Sequence, residues 1–218
     1  MNSKIKQIVL TATFSAMAII LGYIEIPFPP APFLKFDFSE VVILVSLIVL
    51  GYSKTGVVII LRTIIRIAIK GDVDVFPFLG EYMAILSSFS IITFYYLATK
   101  ITKTNLVPLV KKEVCDIEKF KIVKPLIHGL IVTLGFTFVM VLLNFFIVIP
   151  IQLSAGEYFF VTQLLNDINT LNSGLGFVGV SSYSFLIFVF ILPFNILKGL
   201  LIMVAFELLN TRLKYLEV

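Results

Sequence analysis

Residues 183–209 read YSFLIFVFILPFNILKGLLIMVAFELL, and only Lys198 and Glu207 in that run carry a charge. About 20 consecutive apolar residues are enough to cross a bilayer as a helix. The stretch therefore predicts a transmembrane helix. Working outward, similar apolar runs occur at 5–24, 38–51, 55–69, 79–99 and 125–149, which makes six spans. The run at 38–51 is short for a span. It either borrows residues 33–36 or sits in a protected position. Pro27, Pro29, Pro30 and Pro32 cluster between the first two spans, as they would in an irregular connector.

The whole chain agrees with this reading. Of its 218 residues 59% are hydrophobic and 14% charged, with a mean hydropathy of +1.08, whereas soluble domains run near roughly 45–50% and 25%. An ordinary soluble enzyme, a disordered protein and a nucleic-acid binder are excluded. The expected architecture is all-α: one integral membrane domain, 1–218, in contact with the lipid bilayer. Six spans and their loops leave no room for an ATPase domain, and no phosphate-loop motif is present, so any ATP energy must come from a partner chain. Cys115 and His128 are each alone of their kind, which argues against a disulfide framework or a metal site. The first apolar run is long, its positive flank is modest and no small-residue cleavage site follows, so it is expected to remain in the mature protein.

Charge sets the expected orientation. The N-terminus, the turn at Lys54, the 100–124 loop and the C-terminus hold twelve of the seventeen basic residues. All four fall on one side of a six-span bundle. The other side has Lys35 and Lys70 beside Glu25, Asp37, Asp72, Asp74, Glu157 and Asp167, and residues 151–183 contain no Lys or Arg. The positive-inside rule then puts both termini in the cytoplasm of a multi-pass cell-membrane protein.

Polar residues inside spans are costly and mark functional candidates. Arg62, Arg66, Lys198, Asn144 and Asn195 lie within the runs, with Glu40, Glu81 and Glu207 nearer the ends. Asn195 and Lys198 are three apart and share a helical face. Asn144 precedes Pro150 by about one and a half turns, which would bring three hydrogen-bonding groups to a similar depth. Two amides and an ammonium suit a flat heterocycle with imide-like edges and hydroxylated substituents; the competing reading makes the two asparagines interhelical glue. Arg62 and Arg66, four apart, read as structural cations seeking acidic partners or the cytoplasmic side. Glu25 and Glu157 read as solvated loop charges. Ala12 and Ala16 have the small-x-x-x-small spacing that lets helices approach closely.

Several segments together resemble the riboflavin-specific S-components, the substrate-binding subunits of energy-coupling factor (ECF) vitamin transporters. Phe33-Leu34-Lys35-Phe36-Asp37-Phe38-Ser39-Glu40 is similar to that family's F/Y-L-K-x-D-F-S-D. Leu143-Asn144-Phe145 through Pro150 is similar to L-N-Y-x-x-x-x-P, and Leu192-Pro193-Phe194-Asn195 through Gly199 matches L-P-F-N-x-x-K-G. The resemblance implies a six-helix bundle that takes riboflavin from outside and works with one transmembrane coupling subunit and two ATPases. It implies a transport subunit, with no catalytic residues and no cofactor besides the transported ligand. It implies ligand contacts at Asn144, Asn195 and Lys198, a connector through Phe33, Leu34 and Asp37 that helps close the site, and a lesser role for Glu81. It also implies docking of the coupling subunit at Ala12 and Ala16. Ala84 stands where an Asn is common in the family, and the 151–183 loop is long, so flavin mononucleotide is an alternative ligand. An S-component for a different vitamin would share the topology and the alanine pair but lack the Pro-Phe-Asn-x-x-Lys-Gly run. An ion-coupled secondary transporter would work without ATPases, but the chain has no clear internal repeat of the kind many such transporters carry.

Overall fold

Apolar side chains point outward along most of the helical surface, and the buried polar groups point inward. This is the pattern of a bundle solvated by lipid. The computed structural model describes residues 3–29, 31–71, 75–102, 123–154, 166 and 182–213. Cys115, Glu157, Asp167 and the basic residues 103–121 fall outside them. Six helical rods follow one another: α1 (Ser3–Gly22), α2 (Ser39–Leu50), α3 (Tyr52–Lys70), α4 (Val75–Ile101), and two rods that are each interrupted. The fifth comprises α5 (Val123–Leu143), a π-helical stretch (Asn144–Val148) and α6 (Ile149–Ser154). The sixth comprises α7 (Ser182–Leu186), a second π stretch (Ile187–Ile191) and α8 (Leu192–Leu213).

Among the described residues, four helices have the length and apolarity to cross a membrane, within Lys4–Gly22, Phe78–Ile101, Pro125–Ile151 and Ser184–Asn210. The other two depart from the simple span for different reasons. Helix α2 has 12 residues, about 18 Å at 1.5 Å per residue, which is too short for a hydrocarbon layer of roughly 30 Å. It is sheltered instead, with Val41, Val42, Ile43, Leu44, Leu47 and Leu50 all buried. Helix α3 is long enough but has its charges on the inside: Arg62 and Arg66 are buried while Ile60, Ile64 and Ile69 are exposed. Gly51 joins α2 to α3 at φ 83°, a left-handed conformation that side chains with a Cβ resist.

The core forms where α2, α3, α4, α5 and α8 meet, around Leu44, Leu47, Ile59, Ile92, Phe136 and Phe206. Helices α5 and α8 pack closely at Gly199, where a Cβ would stand 3.1 Å from Thr133 Cγ2. A small residue at that point allows the two backbones to approach. A second apolar cluster lies toward the other end of these rods, formed by Ile149, Leu186, Ile187 and Ile191 with Leu34 packed on it.

The proline-rich connector is ordered as a hairpin. Strand β1 (Ile26–Phe28) pairs antiparallel with β2 (Ala31–Phe36), with Ile26 opposite Phe36 and Pro27 opposite Lys35. A two-stranded ribbon consists only of edges, so it tolerates prolines that a central strand would not. Residues 33–36 therefore belong to the hairpin, and the short second helix does not borrow them.

Candidate binding site

The hairpin lands on the helix that carries Asn195 and Lys198. Phe36 and Phe28 lie 4.7 Å and 5.5 Å from the ring of Phe194, and 6.0 Å from each other. Tilted and edge-on rings at these separations attract one another beyond the area they bury. The three rings fasten the connector to α8 directly beside the polar pair.

Asn144, Asn195 and Lys198 are all buried. Each amide donates one N–H to its own helix: Asn144 Nδ2 to the Met140 carbonyl at 2.7 Å, and Asn195 Nδ2 to the Ile191 carbonyl at 2.8 Å. These bonds fix the orientation of the amides. They leave each amide a second N–H and a carbonyl oxygen. The expected common depth of the three groups is not found. Gly199 lies against Thr133 and Gly129 against Met203, so the rods run antiparallel. In that register Asn195 is level with Thr137, and Asn144 is level with Phe188, about 10 Å further along by helical rise. The polar groups line a path along the bundle instead of one ring across it.

Asp37 connects hairpin, lysine and α2. Its Oδ2 faces Lys198 Nζ at 3.8 Å, and its Oδ1 accepts from the backbone N–H of Ser39 at 3.1 Å and from the Ser39 hydroxyl. Ser39 Oγ in turn accepts from Arg62 Nη1 at 2.8 Å, and Arg62 Nη2 donates to the Ala84 carbonyl at 3.2 Å. Asp37 lies in the loop between β2 and α2. Burial pushes its carboxyl up, but Lys198, the Ser39 hydroxyl bond, Arg62 and Arg66 together outweigh that and hold it below the ordinary carboxylate value. It therefore remains an anion opposite Lys198 at neutral pH.

Glu81 is engaged elsewhere. Its Oε1 accepts from Arg66 Nε at 3.1 Å and from Lys70 Nζ at 2.7 Å. Arg66 also donates to the Gly22 carbonyl at 3.0 Å and to Glu25 at 3.4 Å, and its guanidinium stacks over Tyr23. Glu25 takes Lys35 at 2.7 Å on its other oxygen. The expectation that Arg66 seeks acidic partners is met. Glu25 is an exposed loop charge, as expected, and it also ties β2 to α3. Nothing joins Glu81 to Asn144, Asn195 or Lys198 among the described residues.

Of the remaining sequence candidates, Leu34 packs on the second apolar cluster, and the side chain of Phe33 is outside the described residues. Ala12 and Ala16 are exposed, whereas Thr11, Ser15 and Ala18 of the same helix face inward. Sequence reasoning did not find Ser39 or the ring cluster of Phe28, Phe36 and Phe194. The signal for Ser39 was its place two residues after Asp37; Phe36 and Phe194 stand inside the quoted motif segments, and nothing local marks Phe28 among 22 phenylalanines.

A polytopic bundle that buries amides and a lysine beside an aromatic anchor under an ordered hairpin is a multi-pass membrane protein. The family model described as "ECF transporter, substrate-specific component" matches residues 6–210, and the chain belongs to that family. Such S-components are non-catalytic transport subunits that associate with an ECF coupling module. Among curated relatives, the riboflavin transporter FmnP of Bacillus subtilis is 26% identical over 213 residues, covering 97% of this chain and 93% of the relative. The riboflavin transporter RibU of Leuconostoc mesenteroides is 27% identical over 202 residues, covering 91% and 86%. A solved structure described as "Structure and mechanism of the S component of a bacterial ECF transporter" has the same fold, with a TM-score of 0.67 at 21% identity and 99% of each chain covered.

Proposed function

We propose that this S-component binds riboflavin from outside the cell and delivers it inward with its coupling module, with both termini in the cytoplasm. The observation that carries the reading is Asn195 and Lys198 buried on one face of α8, beside Phe194 and the hairpin that seals it. A flavin has a flat ring with imide edges that an amide can pair, and a hydroxylated tail that an ammonium can donate to. The extension of the polar path toward Asn144 suits a long ligand better than a compact one. The names of the relatives point to the same substrate. The charge distribution supports the orientation.

The test is a titration of the purified protein with riboflavin, read by flavin absorbance and fluorescence. A lost buried hydrogen bond is worth about 1–3 kcal/mol. Asn195→Ala and Lys198→Ala are therefore each expected to weaken binding roughly five- to a hundredfold. If both folded variants keep wild-type affinity, these residues revert to interhelical glue. A clear preference of the wild type for flavin mononucleotide would change the substrate and leave the site in place.

A further inference from the structure

Both interrupted rods are interrupted in the same way. The π stretches end at Val148 and Ile191, and in each case a proline follows two residues later, Pro150 and Pro193. In each stretch a backbone N–H reaches back five residues: Ile149 to the Asn144 carbonyl, and Leu192 to the Ile187 carbonyl. The proline supplies the reason. Within an α-helix its ring would strike the carbonyl four residues earlier, here that of Phe146 or Val189, and it has no N–H to offer that carbonyl. A π turn takes in one extra residue and widens the helix locally, which relieves the conflict.

The extra residue changes which side chains face inward. In a straight α-helix, residues seven apart share a face and residues eight apart lie about 80° off. By that rule Phe188 would share the face of Asn195. The reverse is found: Phe188 is 62% exposed and Ile187, eight residues before Asn195, is 2% exposed. On the fifth rod Asn144 and Ile149, five residues and about 140° apart in a straight α-helix, are both buried. The two π stretches also pack against each other.

We propose that Pro150 and Pro193 are positioning residues for the binding site. The π turns they enforce bring the outer apolar collar of Ile149, Leu186, Ile187 and Ile191 onto the same inward face as Asn144 and Asn195. The collar is also where Leu34 anchors the hairpin. Without the proline the turn relaxes to α geometry, and one half of the rod rotates by about 100° relative to the other. The inner half is pinned at Gly199 against Thr133, so the outer half turns, carrying Phe188 inward and Ile187 toward lipid.

The function of the collar rests on the riboflavin reading, so the test has one readout with ligand and one without. Nitroxide labels are placed singly at Ile187→Cys and Phe188→Cys in a Cys115→Ser background in lipid vesicles, and their collision with dissolved oxygen is measured without flavin. With Pro193 intact, the label at 188 is accessible and that at 187 is not; Pro193→Ala reverses the order. Pro193→Ala and Pro150→Ala each lower riboflavin affinity about tenfold. Deleting Phe188 from the Pro193→Ala protein restores the phase between collar and amides in a plain α-helix, and affinity returns. Deleting Phe146 does the same for Pro150→Ala. An unchanged label pattern, undiminished affinity, or a loss that deletion does not rescue would each overturn the proposal. If the wild type itself fails to bind riboflavin, the substrate reading falls and the label pattern alone decides what the prolines do.

Discussion

One oxygen of Glu81 receives both Arg66 and Lys70, at a position 2% exposed. That oxygen holds α4 to α3, whereas Oε2 is buried with no hydrogen-bond partner among the described residues. Removing one partner from a buried ion pair costs about 3–5 kcal/mol. Arg66 retains Glu25 and the Gly22 carbonyl, which puts Glu81→Gln at the low end. The expected result is a clearly lower melting temperature with riboflavin affinity unchanged once the protein is folded. A selective loss of affinity at unchanged melting temperature would return Glu81 to the site. At this scale the sequence was informative where chemistry is local. Asn195 and Lys198 declare themselves by sitting three apart in an apolar run. The contact of Lys198 with Asp37 joins the last helix to the first connector, and no spacing rule reaches across the chain.

Among the elements, α1 presents two different faces. Thr11, Ser15 and Ala18 pack inward, and Ala12 and Ala16 lie on the outer side with Ile5, Ile8, Val9 and Ile20. The small pair is thus available to another helix without disturbing its own bundle. Ala16→Trp is expected to keep near-native riboflavin affinity and melting temperature in the isolated protein, and to abolish uptake in cells that contain the coupling module. Full uptake would remove the docking role; a joint fall of affinity, stability and uptake would place the alanines inside the bundle after all. The elements also show why periodicity carried only part of the fold. Long apolar runs identify α1, α4 and the two interrupted rods directly. Helix α2 is short because its neighbours shelter it, and the assembled bundle decides for that reading over the borrowing of residues 33–36. The hairpin was hidden by its prolines, which read as loop signals although a two-stranded ribbon accommodates them.

For the molecule as a whole, charge on the loops is the guide to orientation, and the native sequence contains a reporter. Cys115, in the basic 100–124 segment, is expected to react with a membrane-impermeant maleimide only after cells are permeabilised. A cysteine introduced at the exposed Asn166, in a Cys115→Ser background, is expected to react in intact cells. The opposite pattern would invert the topology. Helix α3 has a consequence for how the chain is made. A ribosome delivers Arg62 and Arg66 to the membrane before Glu81 and the Ala84 carbonyl, their partners on α4, have been synthesised. Until then Arg62 has only Ser39, and Arg66 only the Gly22 carbonyl and Glu25; a cation at mid-helix costs about 2.5–3.5 kcal/mol on insertion. The third helix therefore enters lipid with only part of its polar partners in place, and the fourth completes them.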